Sequence, residues 1–213
     1  MIHPQFGYAG TGDDDVPRRL TPDETVGLHV DETKIDEPGP ADPSLTVGFG
    51  AFHFDPIGLA VEPGSIVEFD FHTPEHTITA YHPGQERQQR VPDGVPAFSS
   101  PVNDHHGFWL YRFEEPGVYD LFCAPHEWGG MGMRIVVGEQ SGPVIRDPEA
   151  PTQGGGRPPL PLTAALLGTG LPPSDPNIGA PVLAPTNIVD EGSITLADID
   201  IGLEVTLSGP TPI

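Results

Sequence analysis

The feature that most constrains this chain is the run CAPHEWGGM, which extends from Cys123 to Met131 and contains the only cysteine of the sequence. A single cysteine cannot form a disulfide within the chain, so its thiol serves either packing or chemistry. His126 follows it by three residues and Met131 by eight. Thiolate, imidazole and thioether are the ligands of a trigonal copper site built from two histidines and one cysteine, with a weak axial methionine. A second histidine must then come from elsewhere in the chain.

The segments on either side of this run have the patterns of β-strands. Residues 118–123 follow a Pro-Gly turn and alternate between apolar and polar character, which is typical of a half-buried strand. Residues 133–138 are rich in β-branched side chains and predict the next strand. The run is therefore predicted to join two strands, with the thiol at the end of the first.

His76 is the best candidate for the second histidine, because it opens a β-prone segment, HTITAY. His82 ranks second, although it precedes a Pro-Gly turn rather than a strand. The other histidines near these segments could compete for the role; they are His53, His72, His105 and His106. The last two lie in a polar stretch that predicts a solvated loop. Met133 is a rival for the axial position.

Four motifs together give the region of residues 52–138 a resemblance to the cupredoxins, in particular to the plastocyanin, pseudoazurin and halocyanin branch. They are VEPG before a strand at 61–64, HTIT at 76–79, PGVY at 116–119, and the loop with Cys123, His126 and Met131. The resemblance implies an all-β, Greek-key β-sandwich of seven to eight strands. It also implies one type 1 copper ion held by His76, Cys123, His126 and Met131. Many members have Asn directly after the first histidine, whereas this chain has Thr77.

The resemblance further implies a one-electron carrier between redox partner proteins, not an enzyme, and a monomer. His126 is then the ligand nearest the surface, with Trp128 beside it. A non-redox copper carrier or a structural cupredoxin uses the same ligands and remains an alternative. A copper oxidase or nitrite reductase is less well supported, because such enzymes need His-x-His pairs or a histidine beside the cysteine, and the sequence has neither.

Acidic residues dominate the charge of the chain. There are 31 Asp and Glu against 9 Lys and Arg, for a formal net charge of −22, and Lys34 is the only lysine. This charge argues against nucleic acid as a partner, and with the scarcity of lysine it predicts a halophilic protein adapted to high salt. No run reaches the roughly 18 apolar residues of a membrane span. The resemblance implies an extracytoplasmic location, whereas the first twenty residues lack a signal peptide; we therefore expect a truncated or misassigned start.

The composition divides the chain into three parts. Residues 1–23 are predicted to be a flexible segment and residues 24–140 the cupredoxin domain, with strands at 25–30, 45–54, 57–61 and 66–71. Residues 141–213 are predicted to be a low-complexity tail, since residues 139–190 contain eleven prolines. We expect no helix, and copper binding that does not need the tail. Residues 193–201 and 202–207 are predicted to be strands that either form a C-terminal hairpin over residues 193–207 or add to an edge of the sandwich. The long interval between His76 and Cys123 is predicted to hold a functional or decorative loop.

Overall fold

The computed structural model describes residues 8–11, 21–36, 44–102, 107–138, 156–168, 174, 178, 181–199 and 204–207. In these residues the strands, in chain order, are β1 Tyr8–Thr11, β2 Glu24–Val30, β3 Ile35–Asp36, β4 Leu45–Gly48, β5 Phe52–Asp55, β6 Gly58–Val61, β7 Ser65–Phe71, β8 Thr79–Ala80, β9 Gly107–Phe113, β10 Gly117–Phe122, β11 Gly132–Val137, β12 Ser193–Ile194 and β13 Glu204–Leu207. The helices are α1 Pro161–Leu167 and α2 Pro185–Glu191. Single 3₁₀ turns occupy Glu32–Lys34, Pro83–Gln85, Glu127–Gly129 and Leu196–Asp198.

Two five-stranded sheets form the body of the fold. The first has the order β1-β9-β7-β2-β5 and the second the order β12-β6-β11-β10-β8. β2 pairs parallel with β7, and β6 pairs parallel with β11, while the other neighbours are antiparallel. Most neighbouring strands are distant in sequence, so the chain crosses repeatedly between the sheets. This architecture confirms the predicted all-β sandwich.

Period-two patterning explains the main core, which lies between the two sheets. On β7, Val67, Phe69 and Phe71 point inward and are fully buried. Tyr119 and Leu121 of β10 face them from the other sheet within one buried cluster that also contains Cys123 and Met131. The candidate metal ligands are therefore anchored directly in the hydrophobic core.

The loop after β8 is a packed part of the core, which corrects the expectation of a functional or decorative loop. Val91, Val95 and Phe98 are buried in the main cluster. Arg90 reaches the buried Asp120 of β10 through its Nε, 2.7 Å from Oδ2. The segment lacks apolar periodicity because it has little regular secondary structure, although its few apolar residues point inward.

The C-terminal region also differs from the predicted tail, because its described residues form a third layer on the second sheet. Leu166, Leu167, Leu183 and Ile188 belong to a second buried cluster on the outer side of β10 and β11, together with Phe122 and Val136. Arg134 of β11 donates hydrogen bonds to the main-chain oxygens of Leu167 and Leu183, at 2.8 and 2.6 Å. The helices form because they bury an apolar face on this sheet.

At both ends of the chain the structure differs in part from the expectations. Of the two alternatives for residues 193–207, the hairpin is absent from the described residues, whereas addition to a sandwich edge is confirmed for β12, which pairs with β6. β13 pairs instead with β4 in a small sheet of order β13-β4-β3. Within the predicted flexible segment, β1 pairs antiparallel with β9 and forms an edge of the first sheet. Among the described residues, no helix has the length and apolar character needed to cross a membrane.

Candidate metal centre

The loop after β10 is held by its own backbone hydrogen bonds. Cys123 follows the last residue of the strand, and its amide donates to the oxygen of Met131 at 3.1 Å. The oxygen of His126 accepts from the amide of Met131 at 3.3 Å. Gly130 has φ 89°, and a Cβ there would lie 2.8 Å from the ring of Phe49, so this turn requires glycine. The shape of the loop is therefore set by its own backbone hydrogen bonds and by this glycine.

His76 is fully buried and oriented by two hydrogen bonds in series. Its Nε2 lies 2.8 Å from Oγ1 of Thr73, which in turn donates to the oxygen of Leu28 at 3.4 Å. With the hydroxyl of Thr73 directed at Leu28 across a long contact of 3.4 Å, we assign the ring proton to Nε2 of His76, the tautomer that suits a metal ligand. Nδ1 is left with a free lone pair, as a metal ligand requires.

Three donor atoms from the predicted site meet in a triangle. Sγ of Cys123 lies 3.5 Å from Nδ1 of His76 and 3.4 Å from Nδ1 of His126, and the two nitrogens are 3.1 Å apart. A point equidistant from the three atoms lies about 2 Å from each, the usual length of a bond between a metal ion and an imidazole nitrogen. Met131, the fourth predicted ligand, is fully buried in the same cluster as Cys123.

Thr77 ties the two ligand-bearing segments together. Its amide donates to Sγ of Cys123 at 3.3 Å, and its Oγ1 accepts from the amide of Ala124 at 2.8 Å. The hydroxyl thus links the segment of His76 to the loop of Cys123, at the position where many cupredoxins have Asn. The amide of Thr77 also places a hydrogen-bond donor on the sulfur, which tunes a thiolate ligand.

Phe52 is a contributor that sequence reasoning missed. Its ring stacks on His126 with centroids 4.2 Å apart and planes 5° from parallel. Trp128 meets the same phenyl ring edge-on at 5.8 Å. Phe52 belongs to β5, and its ordinary strand pattern carries no signal of this contact. The half-buried His126 is therefore held between its own loop and a strand of the other sheet.

Burial sets the protonation of all three donors in the metal-free protein. It lowers the pKa of His76 to about 3, with the neighbouring His126 as the second cause, and it lowers the pKa of His126 to about 4. Burial also raises the pKa of Cys123 to about 11, against the hydrogen bond from Thr77, which lowers it. At neutral pH the triangle therefore contains two neutral imidazoles and one thiol, and a bound metal ion would displace the thiol proton.

None of the competing histidines that the structure describes joins this triangle. His53 and His72 lie with His29 in a stacked row on the outer side of the first sheet, with ring centroids 5.3 and 4.4 Å from His29. His82 accepts a hydrogen bond on Nδ1 from the amide of Gly84 and caps a 3₁₀ turn. Met133 is buried within β11. His105 and His106 lie outside the described residues.

Comparison with curated proteins finds pseudoazurins. The chain is 34% identical over 90 residues to a protein named as a pseudoazurin in Rhizobium leguminosarum bv. viciae, which covers 42% of this chain and 53% of that relative. It is 30% identical over 90 residues to the pseudoazurin of Paracoccus pantotrophus, and this alignment covers 42% of this chain and 56% of that relative. The chain thus spans about half the length of these relatives. No family model matches it.

Among solved structures, the crystal structure of pseudoazurin from Methylobacterium extorquens AM1 aligns with 68% of this chain and 94% of its own, at 22% identity and a TM-score of 0.43. A reduced Cu(I) form of an amicyanin variant aligns with 62% of this chain and 97% of its own, at 15% identity and a TM-score of 0.38. The similarity to the curated pseudoazurins confirms the resemblance to the cupredoxins that the sequence motifs indicate.

Proposed function

We propose that this cupredoxin-like chain is a type 1 copper protein that carries single electrons between redox partner proteins. The observation that carries the proposal is the triangle formed by Nδ1 of His76, Sγ of Cys123 and Nδ1 of His126. With Met131 buried beside them, these residues form the donor set of two histidines, one cysteine and one methionine. A copper ion bound there would supply a one-electron couple between Cu(I) and Cu(II). The similarity to pseudoazurins supports the same assignment.

The residues of the site are suited to hold their donors still while the charge changes. His76 and Cys123 are fully buried, which excludes water from their side of the site. Thr73 fixes the ring of His76, and Thr77 fixes both the sulfur and the following amide. Donors that do not move between two oxidation states keep the reorganisation that accompanies electron transfer small.

His126 is the proposed port for electrons. It is only half-buried, and the neighbouring Ala124 and Pro125 are exposed. Phe52 and Trp128 extend this surface with aromatic rings. A redox partner that docks over this surface approaches the ligand ring directly, so we place the partner contact here.

The chemistry proposed here transforms no substrate. In the part of the chain that the structure describes, one group of His, Cys, Asp and Glu side chains could hold a metal ion, and it is the triangle itself. We further propose an extracytoplasmic, high-salt setting, the first because the resemblance implies it and the second because of the net charge of −22. The alternative function is a non-redox copper carrier or a structural cupredoxin.

Absorption and EPR spectra of the Cu(II)-loaded protein test the proposal. We expect an intense blue colour from charge transfer between the Cys123 thiolate and copper, and we expect Cys123→Ser to abolish it. Met133→Leu is the matched control, because it changes a buried sulfur-containing residue of β11 with similar volume and should keep the colour. A colourless wild-type protein, or an unchanged spectrum of Cys123→Ser, would contradict the site. A blue protein that cannot be reversibly reduced would favour the alternative function.

A further inference from the structure

Glu127, the residue after His126, is a buried carboxylate with only 1% of its surface exposed. Its Oε1 accepts hydrogen bonds from the hydroxyl of Tyr81 at 2.9 Å, from Arg157 at 3.0 Å and from the amide of Leu160 at 3.1 Å. Its Oε2 forms an ion pair with the same arginine. A buried carboxylate is tolerated only where such partners replace water. The position of this side chain is therefore determined by residues far from it in sequence.

The partners of Glu127 come from two segments to which the metal chemistry gives no role. One is the loop after β8 and the other is the C-terminal region, and the two are joined to each other. The amide of Gln88 donates to the oxygen of Arg157 at 3.0 Å, and the amide of Arg157 donates to the oxygen of Glu86 at 3.1 Å. Gly156 makes this approach possible, because a Cβ there would lie 2.3 Å from the oxygen of Arg87.

The backbone of the same turn is held as well. Thr163 of α1 donates its hydroxyl to the oxygen of Glu127 at 2.7 Å. Glu127 opens the 3₁₀ turn that separates His126 from Met131. The C-terminal region therefore contacts both the side chain and the main chain of Glu127, in the turn that has the candidate ligands His126 and Met131 on its two sides.

We propose that the C-terminal segment from Gly156 to Thr163 is a working part of the metal centre, in which Arg157 acts as a positioning residue through Glu127. Arg157 donates hydrogen bonds to both oxygens of the buried carboxylate, whereas Arg87 makes only an ion pair, with Nε 3.8 Å from Oε2. Without Arg157 the carboxylate of Glu127 loses its hydrogen-bonded cation and keeps only the longer ion pair with Arg87, so its burial becomes less favourable and the 3₁₀ turn between His126 and Met131 loosens. The role in tuning copper rests on the proposed function, whereas the role in ordering the loop does not.

Amide hydrogen exchange of the metal-free, full-length protein tests the ordering role. We expect Arg157→Gln to accelerate exchange at the loop amides that report on the turn, those of Gly129, Gly130 and Met131, by about tenfold or more. Arg157→Lys should recover part of the protection because it restores the charge. Arg112→Gln is the control, since Arg112 lies on β9 opposite Ile66, at the end of the first sheet far from His76. Loop exchange equal to wild type in Arg157→Gln would overturn the proposal.

The midpoint potential and EPR spectrum of the copper-loaded variants test the tuning role. We expect both to shift in Arg157→Gln and to remain unchanged in Arg112→Gln. If Arg157→Gln only loses thermal stability, with loop exchange, potential and EPR spectrum unchanged, the segment stabilises the fold without positioning the ligands, and the proposal is overturned. If Arg157→Gln fails to fold, Tyr81→Phe removes one hydrogen bond from the same carboxylate and should shift the same readouts to a smaller extent; unchanged readouts would again overturn the proposal. A loosened loop in a protein without a type 1 signal would refute the proposed function and leave the positioning role standing.

Discussion

At the scale of single residues, His76 and His82 separate the two sequence hypotheses for the remote imidazole. His76 lies in the triangle with Cys123, whereas His82 caps a 3₁₀ turn. We expect His76→Ala to lower copper affinity at least tenfold and to remove the type 1 EPR signal, because the substitution removes one of the direct copper ligands. His82→Ala is the matched control and should keep both. If the type 1 signal is lost only in the His82 variant, then His82 rather than His76 is the remote ligand and the assignment is wrong.

Two residues also give the metal-free protein a definite pH dependence. The pKa values of His76 and His126 fall from 6.5 to about 3 and about 4 in the folded chain. Between the folded and unfolded pKa values the unfolded chain binds more protons, so the contribution of the two histidines to stability is complete above pH 6.5 and is lost progressively as the pH falls to about 3. We expect the free energy of unfolding of the metal-free protein to decrease over this window. A chemical denaturation series checks this, and His76→Gln should make the dependence shallower; equal slopes would contradict the assignment.

At the scale of elements, α2 offers two adjacent residues with opposite expectations. Ile188 is fully buried in the second cluster, while Val189 is 38% exposed. We expect Ile188→Ala to destabilise the protein by about 2–5 kcal/mol, because it leaves a cavity under the helix. Val189→Ala should change stability by about 0.5 kcal/mol or less. Urea unfolding of both variants is the measurement, and equal small effects would show that the C-terminal layer does not contribute to the core.

Strands with local patterns were predictable to within a residue or two, and elements that depend on distant partners were not. The sequence predicts β7 and β10 because apolar and polar residues alternate in them and a Pro-Gly turn precedes each strand. The predicted strand over 45–54 is instead broken by a turn at Gly50, which has φ 78°. The two helices were not predicted, because the proline-rich composition of residues 139–190 indicates a low-complexity tail. Pro161 and Pro185 occupy the first turn of α1 and α2, where a missing amide costs nothing.

The same division holds for the candidate centre. The candidates Cys123, His126 and Met131 share one loop, so their spacing alone suggests them as ligands, and the motif HTIT suggests His76. The contacts of Phe52 and Arg157 with the loop could not be predicted from the sequence. Each residue reaches the loop from a remote segment whose local pattern gives no sign of the contact. Thr77 stands where many cupredoxins have Asn, and its hydroxyl accepts a hydrogen bond from the amide of Ala124, which links the segment of His76 to the loop of Cys123.

At the scale of the whole molecule, charge governs the response to salt. The net charge of −22 implies repulsion that acts throughout the fold. The Debye length shrinks from about 10 Å at 0.1 M salt to about 3 Å at 1 M, so added salt relieves this repulsion. We expect the melting temperature of the metal-free protein to rise by about 5 °C from low to molar KCl, which corresponds to about 1–2 kcal/mol. Sucrose at matched osmolality serves as the uncharged control, and a flat or falling KCl series would leave an acidic protein without salt adaptation.

The pairing of Glu127 with Arg157 also has a consequence in time. The two residues are 30 positions apart, so a growing chain presents all four candidate ligands before it presents the arginine. At about 5–20 residues per second, translation leaves an interval of a few seconds between them. During that interval the carboxylate of Glu127 has Arg87 nearby but lacks the hydrogen bonds of Arg157, and the loop lacks its outer layer. From the proposed role of Arg157 we therefore expect a competent metal centre to be a late product of biosynthesis, completed only when the C-terminal segment has emerged and docked.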